Sequence, residues 1–246
     1  MISAIIIGIF VGFASGFFGI GGGTVLVPIL LFLGFEFKDA VGISVTQMML
    51  SSMYGSYLNF KKGLLKIQNG LSLAIGGAIG AALSGYIVKH TSKEILGAVF
   101  LTLVFVAIVR FFITVPEPKE EPPIDNKKLF FIGLFVGMIA ISVGVGGAIL
   151  ITPILVGFLH YRLKTTVSLS LFFVVFSSIS GFISQSLAGH IDYSKGFTIG
   201  LASLIGTYFG IKLYHAMHPK HHKKFLLVWY IFVFCATTYK LYFQGN

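Results

Sequence analysis

Residues 17–28 read F-F-G-I-G-G-G-T-V-L-V-P, and residues 143–153 read V-G-V-G-G-A-I-L-I-T-P. A constant shift of 125 residues superposes the two stretches without a gap, so that Gly22 meets Gly147 and Pro28 meets Pro153. Each stretch interrupts an apolar run with glycines, which free the backbone to leave a helix. The sequence therefore predicts two equivalent breaks, which we call the first break (residues 19–24) and the second break (residues 144–149).

The composition indicates that this chain lies in a membrane. Hydrophobic residues make up 56% and charged residues 11%, against roughly 25% charged residues in soluble domains. A membrane-spanning helix needs about 20 apolar residues. We expect an all-α integral membrane protein with ten apolar segments: Ile2–Phe18, Thr24–Gly34, Ala40–Asn59, Gly70–Val88, Ile95–Ile113, Leu129–Ile141, Ile149–His160, Thr165–Leu187, Phe197–Met217 and Phe225–Tyr239.

Charge and reactive side chains exclude several classes of function. The net charge of +10 comes from Lys and Arg in short clusters between apolar runs, a pattern that sets membrane orientation rather than binding nucleic acid. Cys235 is the only cysteine, so disulfides and cysteine metal sites are excluded. All acids and histidines lie in loops or at segment ends. We therefore predict no catalytic residue, no metal site and no cofactor.

The chain divides into two halves. Residues 114–126, T-V-P-E-P-K-E-E-P-P-I-D-N, carry four prolines and four acids, and such a stretch cannot bury itself. We predict a first transmembrane repeat at 1–114, a cytoplasmic linker at 115–127 and a second repeat at 128–240. Residues 241–246 begin L-Y-F-Q-G, which resembles the tail of a tobacco-etch-virus protease site. They are left outside the functional argument.

Two further matches extend the repeat beyond the breaks. The segment A-V-G-I-S at 40–44 is matched with K-T-T-V-S at 164–168, which pairs Ser44 with Ser168 and Thr46 with Ser170. Gly80 is matched with Gly206, and each opens a small-xxx-small spacing that favours close helix packing. The duplication is thus supported at three separate points.

Basic residues decide between two topologies. If each break leaves one straight span, the 18 basic residues divide equally between the two sides. If each break is a hairpin, only Lys38, Lys89, Lys93, Lys195 and Lys240 lie opposite the rest, which is the asymmetry expected of cytoplasmic loops. The hairpin topology inverts one half relative to the other and places both termini outside the cytoplasm. Broken helices in inverted repeats are typical of secondary transporters.

The breaks predict an anion site. The first N–H groups of a helix lack acceptors within it and carry the positive end of the helix dipole, so they bind anions. Packing glycines, a ligand-free turn or a nucleotide loop are the competing interpretations; the last requires a βαβ unit that is absent here. Hydroxyl and amide side chains in the spans complete the site. The predicted substrate-binding residues are Gly21, Gly22, Gly23, Thr24, Ser44, Thr46, Gln47, Gly146, Gly147, Ala148, Ser168 and Ser170.

The pattern resembles a known family. The run G-x-G-G-G-x-x-x-x-P, its second copy and the A-V-G-I-S segment are similar to those of the TauE/SafE membrane permeases, over essentially the whole chain. The resemblance implies export of sulfite or small organosulfonates across a bacterial cytoplasmic membrane. The second copy departs from the first at Ala148, which replaces a glycine, and at residues 164–166. Functional symmetry of the two breaks is therefore not expected to be strict.

The sequence leads to one functional hypothesis and two rivals. We expect a transporter that exports a small sulfur-containing anion by alternating access, with the anion held at the two breaks. A cation or metal exporter is the nearest alternative because unwound carbonyl groups bind cations. A membrane assembly or scaffold protein is the other, although it would not need the break twice.

Overall fold

The computed structural model describes residues 2–19, 21–63, 67–112, 122–123, 125–216 and 219–243. Within these ranges the chain is helical, and most of the predicted linker lies outside them. The helices are α1 (Ile2–Phe18), α2 (Gly23–Phe32), α3 (Phe37–Lys61), α4 (Ile67–Ala81), α5 (Ser84–His90), α6 (Lys93–Phe112), α7 (Asn126–Ser142), α8 (Ala148–Gly157), α9 (Leu163–Leu187), α10 (Tyr193–Ala216) and α11 (Pro219–Thr238), followed by a π-helical turn at Tyr239–Phe243.

The prediction of an all-α chain is confirmed over the described residues, and their apolar helices are compatible with a membrane protein. Four helical stretches of the described chain are long and apolar enough to cross a bilayer: Gly70–His90, Thr165–Leu187, Tyr193–Tyr214 and Phe225–Phe243. The helices on either side of the first break, α1 and α2, and the helix after the second break, α8, are apolar but shorter. Short helices of this kind are what an interrupted span produces.

The predicted apolar segment Gly70–Val88 lies within one of these candidate spans, Gly70–His90, and the span is divided into the two helices α4 and α5. The hydroxyl of Ser184 on α9 inserts at the junction, where it donates to the Ala82 carbonyl at 2.6 Å and accepts from the Gly85 N–H at 2.9 Å. A side chain that enters the backbone ladder in this way interrupts a helix. The polar partner comes from 99 to 102 residues away, so the local sequence carries no sign of it.

Helices of the two halves pack directly on each other. α1 and α10 meet backbone to backbone, because a Cβ on any of three α1 glycines would strike an α10 carbonyl oxygen: Ile199 for Gly8, Ser203 for Gly12 and Thr207 for Gly16. Both helices advance by four residues from one contact to the next. They therefore run parallel, at the close approach that small residues allow.

The same contact recurs between α4 and α7. A Cβ on Gly133 would meet the Leu73 carbonyl, and one on Gly137 would meet Gly77. A shift of 125 carries Gly8 and Gly12 onto these α7 glycines. A shift of 126 relates Leu73 and Gly77 to the α10 residues that face α1. Gly80 and Gly206 also pack against the carbonyls of Leu134 and Ile9, so their match is confirmed as a packing site.

The long helices complete two bundles. α3 lies parallel to α10, with Thr46 beside Gly196 and Gly55 beside Thr207. α9 lies parallel to α4, and the Ser180 hydroxyl donates to the Ala78 carbonyl at 2.6 Å. We call α1, α3 and α10 the first bundle, and α4, α7 and α9 the second bundle. They meet where α3 crosses α9, and each contains helices of both halves.

Candidate substrate site at the two glycine breaks

The first break gives α2 a buried N-terminus. Gly19, Gly21 and Gly22 have φ values of 69°, 81° and 80°, a left-handed conformation that glycine adopts without steric cost. Gly22 is the N-cap of α2, and its carbonyl accepts from the N–H groups of Val25 and Leu26 at 3.0 Å. Gly23 and Thr24 follow it and are buried, so the positive end of the helix dipole lies inside the protein.

The second break repeats this backbone. Gly144, Gly146 and Gly147 have φ values of 73°, 78° and 76°, and Gly147 is the N-cap of α8. Its carbonyl accepts from Leu150 and Ile151 at 3.0 and 2.9 Å, which mirrors the first break residue for residue. Both predicted interruptions, and the predicted start of α2 near Gly23, are confirmed.

The two breaks touch. A Cβ on Gly23 would strike the carbonyl oxygen of Gly144, and it would lie 2.8 Å from the sulfur of Met48. The same Gly144 carbonyl accepts a 3.0 Å hydrogen bond from the buried Ser44 hydroxyl on α3. The start of α2, the turn before α8 and the middle of α3 thus meet at one point.

Gln47 places a free amide at the first break. Its side chain is fully buried, and neither Oε1 nor Nε2 has a hydrogen-bond partner. A Cβ on Gly22 would lie 2.5 Å from Oε1 and 3.0 Å from Nε2, so only glycine leaves room for the amide beside the N-cap. Burying an unpaired amide is costly, and an unpaired group of this kind therefore points to a ligand.

The second break has an aromatic ring in the equivalent place. A Cβ on Gly147 would strike Cε1 of Phe173, and the far edge of the same ring is wedged against Gly77. Phe173 lies eleven residues after the α9 N-cap Arg162, as Gln47 lies eleven residues after the α3 N-cap Glu36. The two helices therefore present an amide and a phenyl ring at matching positions.

The predicted pairing of the serines is wrong by two positions. The α3 and α9 N-caps differ by 126 residues, whereas the C-caps of α2 and α8, Leu33 and Phe158, differ by 125. The second connection is one residue longer, so Ser44 corresponds to Ser170 and not to Ser168. The contacts agree, because Gly144 packs on Val41 and Gly19 packs on Val167.

The remaining predicted residues divide into two groups. The Thr24 and Ser170 hydroxyls are buried without a hydrogen-bond partner. Thr46 is different, since its hydroxyl donates to the Gly42 carbonyl at 3.0 Å and its side chain faces Gly196 of α10. Ser168 is also buried, at the α9 position that corresponds to Gly42 of α3.

Prolines modify the backbone one turn into each short helix. Pro28 in α2 and Pro153 in α8 have no N–H, so the carbonyls of Thr24 and Ile149 lack their usual donor four residues on. Each break therefore presents N–H groups at its cap, and the carbonyl freed by the proline belongs to the second residue of the helix. Donors and an acceptor are both available to a ligand.

Sequence reasoning missed the apolar lining. Besides Phe173, the would-be Cβ of Gly21 is 3.4 Å from Val174 and 3.7 Å from the sulfur of Met48. These side chains share helix faces with the predicted polar residues, since Gln47 and Met48 lie three and four residues after Ser44. The three- and four-residue spacing is the signal that would have found them.

Comparisons with known proteins agree with this arrangement. The profile described as "Sulfite exporter TauE/SafE" matches residues 4–237. A "Probable membrane transporter protein YunE" of Bacillus subtilis is 23% identical and covers 98% of this chain and 97% of its own. A "Probable membrane transporter protein" of Methanocaldococcus jannaschii is 27% identical over 88% of this chain and 87% of its own. No solved structure gives a significant match. With its paired glycine breaks, the chain belongs to the TauE/SafE family, whose members are membrane transporters rather than enzymes.

Proposed function

We propose that this transporter exports a small sulfur-containing anion, sulfite or an organosulfonate, bound between the N-termini of α2 and α8. The observation that carries the proposal is the unpaired, fully buried amide of Gln47 beside the N-cap Gly22. Helix N–H groups and an amide NH₂ are donors that replace the hydration shell of an oxyanion. None of the side chains described around the breaks is charged, so an anion is held by dipoles alone.

The packing supports two inverted repeats. α1 and α3 both lie parallel to α10, so α2 between them returns towards the side where α1 began. α7 and α9 are related to α4 in the same way, and α8 returns likewise. α4 follows α3 after a short connection and runs back, so α9, being parallel to α4, runs opposite to α3. One half is therefore inverted relative to the other.

A contact at the end of α8 supports the hairpin. The guanidinium of Arg110, in the last turn of α6, covers Gly157, the last residue of α8. The positive charge stabilises the negative end of the α8 dipole. The contact puts the C-terminus of α8 level with the end of α6, which is the side on which the linker to α7 begins. By the distribution of lysines, that side is the cytoplasm of a bacterial inner-membrane protein, and both termini lie outside it.

Transport proceeds by alternating access in which the first bundle moves against the second, and each of these moving bodies combines helices of both repeats. The glycine contacts of α1 with α10 and of α4 with α7 hold each bundle together, so the crossing of α3 and α9 is the interface that moves. Gly55 tests this, because its would-be Cβ lies 3.8 Å from Cδ1 of Leu171 on α9 and 3.7 Å from Cγ2 of Thr207 on α10.

Two disulfides that both use residue 55 distinguish a block of bundle motion from a nonspecific effect of cross-linking. In a Cys235→Ser background, we expect the pair Gly55→Cys and Leu171→Cys, which joins the two bundles, to stop transport when oxidised and to release it on reduction. The pair Gly55→Cys and Thr207→Cys lies within the first bundle, and its oxidation should leave transport largely intact. Equal inhibition by both disulfides would refute the assignment of the bundles.

The membrane potential drives net export. A cytoplasm-negative potential contributes about 2.3 kcal/mol per charge per 100 mV, which suffices to expel a mono- or divalent anion. Efflux from proteoliposomes loaded with sulfite or ethanesulfonate should therefore accelerate when the interior is made negative with potassium and valinomycin. Efflux of neither anion, or efflux that follows a pH gradient and ignores the potential, would contradict the proposal.

A cation or metal exporter remains the second candidate because of one observation. The carbonyls freed by Pro28 and Pro153, together with the unpartnered Thr24 hydroxyl, are oxygen ligands that suit hard cations. Thermal stabilisation of the purified protein separates the two functions. An increase in melting temperature with sulfite or ethanesulfonate supports the anion, and an increase with divalent cations alone supports the rival. A scaffold protein would respond to neither.

A further inference from the structure

The two N-cap glycines have the same backbone and opposite chemical surroundings. Gly22 adjoins the amide of Gln47, and Gly147 adjoins the ring of Phe173. Both side chains are fully buried. Beside the helix N–H groups, a ligand that spans the two breaks meets an amide side chain at one end and a phenyl ring at the other.

The polar end offers a set of hydrogen-bond donors to one oxyanion group. The Gln47 amide is unpaired, and the first N–H groups of α2 point out of the helix beside it. An oxyanion with two or three oxygens satisfies such a set of donors. This end accepts a sulfonate, and a carboxylate offers the same chemistry.

The apolar end penalises further oxygen atoms. Phe173 fills the space at Gly147, and Val174 and the Met48 sulfur lie near Gly21 between the two ends. A tetrahedral oxyanion such as sulfate leaves an oxygen against these groups without a donor, and an unpaired buried oxygen is costly. Sulfite has the three-oxygen head of a sulfonate but a sulfur lone pair in place of the alkyl group, so no part of it packs against the apolar end. A methyl or ethyl group that packs against these side chains gains from leaving water.

We propose that the preferred substrate is an anion with a single oxyanion head and a small apolar end, and that Phe173 is the residue that sets this preference. The proposal rests on the proposed function, because it places the substrate at the two breaks. It narrows the substrate class from sulfur oxyanions in general to alkyl-bearing ones. It also makes the second break a selectivity element rather than a second anion site.

Efflux ratios test the preference on the unmodified protein. Proteoliposomes are loaded with sulfite, methanesulfonate or ethanesulfonate at equal concentration, and initial efflux is measured at one imposed potential. Each buried methylene contributes about fourfold, so ethanesulfonate should exceed methanesulfonate by about fourfold in kcat/KM, and it should exceed sulfite by at least tenfold. Sulfite efflux as fast as that of either alkylsulfonate would overturn the proposal while leaving the anion transporter intact. Failure of all three would instead overturn the proposed function.

Two variants assign the preference to Phe173. Phe173→Gln gives the second break the side chain of the first, and it should lower the ethanesulfonate-to-sulfite ratio by about tenfold. Phe173→Leu keeps an apolar side chain and should hold the ratio within about threefold of the original. Because each ratio is measured within one preparation, the fraction of folded protein cancels. An unchanged ratio in Phe173→Gln would overturn the role of Phe173, and if that variant fails to fold, the ratios of the unmodified protein and of Phe173→Leu decide.

Discussion

The first and second breaks have the same backbone conformation but are lined by different side chains. Their three positive-φ glycines agree within 4°, and each precedes a ten-residue helix with a proline at its sixth position. Around that frame, Gln47 at the first break corresponds to Phe173 at the second, and Gly23 corresponds to Ala148. Duplication has therefore preserved what the backbone needs in order to turn inside a membrane, while the side chains have diverged. The predictions below compare matched changes at the two breaks.

The largest difference should appear between Gly147→Ala and Gly22→Ala. Both substitutions force a side chain into the left-handed region, at about 1–2 kcal/mol. At Gly147 the new methyl also meets Phe173, whose ring is wedged against Gly77 and cannot retreat, which adds about 1–3 kcal/mol of overpacking. At Gly22 it meets the flexible end of Gln47. Thermal unfolding in detergent should show the larger loss for Gly147→Ala, whereas transport should suffer more from Gly22→Ala. Equal melting temperatures would contradict the difference in lining.

A second pair tests the contact between the breaks. Gly23→Ala drives a methyl into the Gly144 carbonyl, a backbone atom that cannot rotate away, and should cost about 2 kcal/mol. The matched change Ala148→Gly only adds backbone freedom and should cost about 0.5–1 kcal/mol. Melting temperatures of the two purified variants decide. A Gly23→Ala protein as stable as Ala148→Gly would mean that the breaks do not touch.

The two equivalent serines should also behave differently. Ser44→Ala removes the hydrogen bond to the buried Gly144 carbonyl, and a lost bond of this kind costs about 1 kcal/mol. Ser170→Ala removes a hydroxyl that is buried without a partner, so stability should stay the same or rise slightly. The two unfolding curves provide the measurement. Destabilisation by Ser170→Ala alone would reverse our reading of the two positions.

The smallest effect concerns the helix starts outside the breaks. Asp125 caps α7, and the backbone N–H of Lys128 lowers the pKa of its carboxyl below the ordinary value of 3.8. Asp192 is held in the same way by the N–H of Lys195 at the start of α10. A carboxyl whose pKa is lower in the folded protein than in the unfolded chain stabilises the folded protein at pH values above the unfolded pKa. That stabilisation is lost as the pH falls through the folded pKa, so these caps should weaken below about pH 4.

Hydrogen exchange measures that weakening locally. Between pH 6 and pH 3, the protection factors of the first-turn amides should fall in α7 and α10. They should hold in α3, whose N-cap Glu36 makes no side-chain capping bond. A uniform loss across all three helices would point to global unfolding rather than to the caps.

The sequence predicted the features that a short pattern can carry. The apolar runs identified the helices, and the doubled glycines located both breaks, because a buried backbone turn demands those residues locally. The extra residue in the connection between α8 and α9 was not predicted, because one residue added to a loop does not change any periodic pattern in the sequence. The Ser184 insertion between α4 and α5 and the ring of Phe173 at Gly147 also escaped. Both are contacts with distant parts of the chain, and only the packed helices bring them together.

The glycine contact of α1 with α10 also bears on how the chain is made. α1 ends at Phe18 and its partner begins at Tyr193, so at about 5–20 residues per second the ribosome delivers α10 roughly 10 to 35 s after α1. During that interval the grooves along Gly8, Gly12 and Gly16 face lipid or the insertion machinery. We expect the first half, synthesised alone, to insert into the membrane without reaching its final helix packing. The helix that packs most closely on α1 has not yet been synthesised at that stage. The final packing of the first half therefore forms only after the chain is complete.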